Sequence, residues 1–237
     1  EAERGGGLDG LVGAQDVVVE DGGLGRPAGA GDCAEVEGGV GAADPDVLVA
    51  FAESRLTRDL LYVGTDDGLI QVSENGGGAW RKLDSFPGIP ERSYVRRAEP
   101  SRHASDVVYA AFDNHKQGDF KPYLLKSADR GRSWTSIAGN LPERGTVYSF
   151  LEDPVDPQLL FVGTEFGLYA SQDGGKSWFQ LKGGLPTIQV RDLAIQEREN
   201  DLVLATFGRG FYILDDMTPL RFADRRKLDA EATLFPI

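Results

Sequence analysis

The chain has 237 residues, 41% of them hydrophobic, and a single cysteine, Cys33, so it can bury a sizeable core but can form neither an internal disulfide nor a cysteine metal cluster. Its net charge of −13 offers nothing to neutralise a run of phosphates, which excludes nucleic acid as an expected partner. No apolar run reaches membrane-spanning length, and no membrane span is expected.

Residues 1–46 differ from the rest: 37 of the 46 are Gly, Ala, Val, Asp or Glu, with eleven acidic residues against two basic ones and no aromatic residue. A segment so poor in bulky side chains cannot form a core, so disorder is expected, with an acidic flexible arm as the functional reading. All five dominant residues use codons beginning with G, so the segment also reads as an out-of-frame translation of GC-rich DNA. The domain division is therefore 1–46 and 47–237.

From Val47 the pattern becomes that of short strands joined by tight turns. Strand-like runs at 47–53, 60–65, 69–72 and 80–83 form a first unit of four. A second unit is read at 94–99, 107–111, 123–126 and 134–137, with residues 112–122 as an inserted loop. A third follows at 146–152, 159–164, 168–170 and 178–181, and three strands of a fourth at 190–196, 202–206 and 211–214. No helical period is sustained, apart from a polar turn over 224–230. A repeat of 40–50 residues with four strands per unit predicts an all-β fold, a β-propeller of about four four-stranded blades.

One phrase recurs between the third and fourth strands of the first three units. It runs Ser127, Asp129, Gly131, Trp134, then Ser171, Asp173, Gly175, Trp178, and in a weaker copy Ser73, Asn75, Gly77, Trp80. The Asp accepts backbone N–H groups just ahead of it, the Gly tolerates positive φ, and the Trp lays a large apolar face on neighbouring strands. These residues are expected to be turn scaffolding, and the turn with Asn75 and Ala79 the least tied. The phrase resembles the Asp-box, or BNR repeat. Residues 50–237 are similar to the C-terminal part of bacterial sortilin N-terminal-type propellers, often described as BNR-repeat glycosyl hydrolase-like proteins. The residues carrying that likeness include 51–54, 62–69, 119–123, 206–216 and the closing 219–221 and 232–236. The resemblance implies that the rest of a larger propeller is missing from this chain, and that the protein works outside the cytoplasm, extracellular or periplasmic.

Alternate turns of an antiparallel blade lie at opposite ends, so ligand residues are sought at the end away from the repeated phrase. His115, Phe166 and Arg209 are expected on that ligand face. Two function classes are open: a sortilin-like binding module for a protein, peptide or glycan, and a truncated glycoside hydrolase of sialidase or xyloglucanase type. A glycosidase needs two carboxylates at a defined separation, and Asp66, Asp67, Asp119 and Glu165 are the candidates. His103 and His115 lack metal-ligand spacing, so no metal and no cofactor is expected.

Overall fold

The computed structural model describes residues 47–222. The acidic segment, the polar turn over 224–230 and the closing residues 232–236 lie outside the described residues. Fifteen strands are described: β1 (Leu48–Glu53), β2 (Leu61–Thr65), β3 (Ile70–Ser73), β4 (Arg81–Leu83), β5 (Tyr94–Pro100), β6 (Val108–Asn114), β7 (Asp119–Ser127), β8 (Thr135–Ser136), β9 (Val147–Glu152), β10 (Leu160–Thr164), β11 (Gly167–Ser171), β12 (Phe179–Leu181), β13 (Val190–Gln196), β14 (Asp201–Thr206) and β15 (Phe211–Leu214). They form three four-stranded sheets, β1–β4, β5–β8 and β9–β12, and a three-stranded sheet, β13–β15, each an antiparallel meander in chain order. The fold is all-β and propeller-like, one sheet per blade.

Adjacent blades face each other through apolar layers. Leu60, Tyr62, Ile70 and Val72 of the first blade pack against Val95, Val108, Ala110 and Leu125 of the second. Equivalent layers join the second blade to the third and the third to the fourth. Each fully buried Leu or Phe contributes about 1.5–3 kcal/mol by leaving water. The repeated Val-Gly-Thr of β2 and β10 has a packing cause. A Cβ on Gly64 would lie 2.4 Å from Val95 Cγ1, and one on Gly163 would lie 2.8 Å from Val190 Cγ1. The first strand of the next blade therefore crosses where a side chain would stand, and only glycine lets it approach.

Three expectations need correction. Residues 112–122 are not an inserted loop: β6 and β7 run on through them, pairing Phe112 with Tyr123 and Asn114 with Asp119 around a 3-10 turn, His115–Gln117. The polar letters suggested a loop, but Asp113 is satisfied by Arg96 of β5 and by His115 in the turn, and Asp119 by Tyr123 and Lys121 of its own strand. The fourth strands begin one residue after each tryptophan, because Trp80, Trp134 and Trp178 close the turns. A short helix, α1 (Thr218–Phe222), was unforeseen; Asp216 Oδ1 accepts the Thr218 N–H at its start, and its Arg221 donates to both oxygens of buried Asp153 at 2.9 and 2.8 Å.

The unit is an open arc. Val47, Leu48 and Phe51 of the first blade are exposed, as are Phe211 and Ile213 of the last. Within the arc, Arg97 pairs with Asp192 and Arg102 with Glu197, linking the second blade to the fourth past the third.

Candidate ligand-binding site

Antiparallel order places two kinds of connection at opposite ends of the blades. One end collects the repeated Ser…Trp turns. The other collects the β2–β3, β6–β7, β10–β11 and β14–β15 turns with the blade crossings at 84–93, 137–146 and 182–189.

At the first end the aspartates are fully occupied. Asp129 Oδ1 accepts the Ser127 hydroxyl at 2.7 Å and the Ser133 N–H at 2.8 Å, while Oδ2 accepts the Ser133 hydroxyl at 2.6 Å. Asp173 repeats these bonds with Ser171 and Ser177. The Ser133 hydroxyl and N–H and the Ser127 hydroxyl hold Asp129 down at about 2. Gly77, Gly131 and Gly175 all have φ between +79° and +92°. In the first turn Asn75 Oδ1 still accepts the Ser73 hydroxyl and the Ala79 N–H, but Ala79 has no hydroxyl to give. Trp178 is 3% exposed and donates to Ile137 of the preceding blade; Trp134 packs edge-on to Phe86 of its preceding blade at 5.7 Å. Trp80 has no preceding blade among the described residues and is 37% exposed.

The opposite end carries an irregularity that also repeats. The innermost strands β1, β5, β9 and β13 each break register against their neighbour at the second or third residue, between Leu48 and Ala50, Val95 and Arg97, Val147 and Ser149, and Val190 and Asp192. Each break is a bulge that leaves one residue unpaired: Val49, Arg96, Tyr148 and Arg191. A bulge re-aims the side chain it carries. Three of the four meet at the mouth of the arc: Arg96 lies over the Tyr148 ring at 5.3 Å, and Arg191 lies over the same ring at 4.4 Å. Arg96 also covers Tyr94 at 4.8 Å, and Arg191 covers Phe207 at 5.4 Å.

Charges around this row are unevenly satisfied. Arg96 donates through Nε and Nη2 to Asp113 Oδ2, and His115 Nδ1 lies 2.7 Å from Asp113 Oδ1. Burial pushes Asp113 up, but the His115 N–H and ring and the Arg96 guanidinium outweigh it and hold the carboxyl below its usual range. Arg191 has no ion pair or hydrogen bond to any described side chain. Burial and the nearby Glu165 carboxylate raise the Tyr148 hydroxyl, with Arg191 pulling the other way. Glu165, Tyr148 and Arg191 are therefore electrostatic neighbours.

The sequence-derived candidates divide accordingly. His115 and Glu165 adjoin the row. Phe166, 40% exposed, is in the same turn as Glu165. Arg209 stands at an exposed turn tip between Gly208 and Gly210, both at positive φ, and takes no part in the ring contacts. Asp66 accepts the Val47 N–H at 3.0 Å, Asp67 accepts the Thr65 hydroxyl, and Asp119, in a strand and not a loop, accepts the Tyr123 hydroxyl and the Lys121 N–H. Among the described residues none of the four carboxylates is hydrogen-bonded to another. Sequence reasoning missed Tyr94, Arg96, Tyr148 and Arg191. Laying the repeats over one another would have put the last three in one column, where Arg recurs at 96 and 191 but Tyr stands at 148 and Val at 49, so the column shares a backbone conformation more than a residue type.

No protein-family model matches the chain. It is similar to xyloglucanase Xgh74A of Acetivibrio thermocellus, with 28% identity over 160 residues, 62% of this chain and 18% of that protein. The GH74 enzyme of Niastella koreensis superposes with a TM-score of 0.55 and 17% identity, over 72% of this chain and 29% of the other. YCF48 bound to D1 peptide superposes with a TM-score of 0.53 and 14% identity, over 72% of this chain and 51% of the other. This is a β-propeller. The chain spans less than a third of the length of either GH74-type protein. No helix among the described residues is long and apolar enough to cross a membrane.

Proposed function

We propose that these blades form a binding module, an Asp-box propeller of the sortilin-like kind, that takes a protein, peptide or glycan ligand at the mouth opposite the Ser…Trp turns. One observation carries the reading: equivalent bulges in successive blades send Arg96, Tyr148 and Arg191 into one shared contact row, with the Arg191 guanidinium uncommitted. Structural side chains are normally satisfied by their own surroundings; a preorganised group without a partner is what a ligand completes. YCF48, the neighbour whose structure contains a D1 peptide, supports a recognition role for such a fold. The exposed Trp80, whose counterparts dock on a preceding blade, supports an arc that belongs to a larger ring. We place the module outside the cytoplasm, extracellular or periplasmic, by its resemblance to the sortilin-type propellers.

The test is to probe glycan and peptide arrays with the 237-residue chain, with Tyr148→Ala, and with Arg132→Ala at the turn end. Capture by the first and third but not by the second is expected; equal capture by all three overturns the reading.

The alternative, a truncated glycoside hydrolase of xyloglucanase or sialidase type, is favoured by the 28% likeness to Xgh74A. It requires an acid and a second carboxylate. Glu165 is uncommitted, whereas Asp113 is held ionised and makes a poor acid. In this reading the second carboxylate comes from blades beyond those described. Xyloglucan cleavage by the chain that disappears in Glu165→Gln would replace the binding reading.

A further inference from the structure

The bulge residues are the centre of a longer row. Lys116 Nζ lies 5.8 Å from the Tyr94 ring, and Tyr94, Arg96, Tyr148, Arg191 and Phe207 follow in alternating contact. Cations and rings therefore alternate across three blades. The cations differ in how far they are committed. Arg96 has Nε and Nη2 on Asp113, whereas Lys116 and Arg191 have no carboxylate partner among the described residues. A guanidinium stacked on a ring keeps its in-plane N–H donors free at the edge, in the fork that matches a carboxylate or sulfate. Arg191 is such a fork, clamped between Tyr148 and Phe207. Phe207 itself is 65% exposed, although one side of its ring lies under Arg191.

A ligand complementary to this row has flat apolar faces and negative groups recurring along one chain. We propose that the mouth binds an anionic polysaccharide, one whose sugars bear carboxylates or sulfate esters, with Arg191 as the anion anchor and Phe207 as a stacking platform. The inference rests on the mouth being the ligand site. A cation–ring row alone would also suit a single-stranded nucleic acid. That ligand carries a charge on every nucleotide, which an acidic chain of net charge −13 with two uncommitted cations in the row does not match; a polysaccharide with uncharged sugars between its charged ones asks for fewer cations.

The experiment is affinity electrophoresis and calorimetry of the 237-residue chain against partly methyl-esterified pectin, a carboxylate source, and kappa-carrageenan, a sulfate-ester source, both with uncharged sugars between the charged ones. Neutral xyloglucan, poly-aspartate and poly-uridylate serve as contrasting probes. The variants are Arg191→Ala, Arg191→Gln, which keeps part of the stem, Phe207→Ala, and Arg132→Ala at the turn end; thermal melts confirm that each folds. Binding of one or both anionic polysaccharides is expected, weakened about 10-fold or more by either Arg191 substitution, as for loss of a charge-assisted contact, and unchanged by Arg132→Ala. The better-bound polymer identifies the anionic group. Binding of xyloglucan, poly-aspartate or poly-uridylate alone, through the same mouth residues, sinks the anionic-polysaccharide inference and leaves the mouth as the ligand site. Polyanion binding reduced equally by Arg191→Ala and Arg132→Ala sinks both, and binding of none of the five probes sinks the inference.

Discussion

The two ends of the blades handle polar groups in opposite ways. At the turn end, Asp129 and Asp173 are satisfied within eight residues of sequence, by the same serines and backbone N–H groups in each copy. At the mouth, Asp113 is satisfied by Arg96, 17 residues away, together with adjacent His115, and Arg191 is left with rings alone for neighbours. Repetition with local satisfaction makes a frame. Repetition of backbone with changing side chains makes a surface whose polar groups differ from blade to blade.

The contrast can be broken first at Trp178. Trp178→Ala removes a buried ring that ties two blades and should cost about 3–5 kcal/mol in denaturant unfolding, whereas Trp80→Ala, with no preceding blade among the described residues, should cost about 1 kcal/mol or less. Equal costs would mean that the turn tryptophans do not act through the preceding blade. The two ladder arginines should separate next. Arg96→Ala leaves the buried Asp113 carboxylate with His115 alone as a partner and should cost about 2–3 kcal/mol, while Arg191→Ala, which strands no buried charge, should stay within about 0.5 kcal/mol by the same measurement. Asp173→Ala should cost about 1 kcal/mol, because the Ser177 N–H and hydroxyl then turn to solvent.

The smallest effect is a pH signature of the turn end. Asp129 is held at about 2, below its unfolded value, so its contribution is complete above the unfolded pKa and is lost as pH falls through the folded one. Stability should therefore decline from about pH 4 toward pH 2. Asp129→Asn, which imitates Asn75, should flatten part of that decline in acid-unfolding curves; an unaltered slope would detach the turn aspartates from acid stability.

Most of the frame was legible in the sequence. The Ser…Trp phrase marked the third turn of the first three blades, and Val-Gly-Thr recurs in the second strands β2 and β10, because close packing of Val95 and Val190 forbids a side chain at Gly64 and Gly163. The β6–β7 extension was not legible: Asp113 looks like a loop residue until Arg96, on another strand, neutralises it. The mouth was half legible. His115 and Glu165 stood out as polar residues in turns, but Arg96, Tyr148 and Arg191 sit in strands whose alternation shifts by one, and a single-residue shift leaves little trace in a run of six or seven letters.

The recurrent bulge has a consequence for how such a protein diversifies. Every copied blade arrives with an address already built: one outward-turned position near the start of its innermost strand, held by pairing on either side. A new letter at Arg191, which strands no buried charge, changes what that position presents without disturbing the pairing that displays it, whereas Arg96 also ties the buried Asp113 and shares the Tyr148 ring with Arg191. Each blade copies the position, and its neighbours limit which letters the position can take.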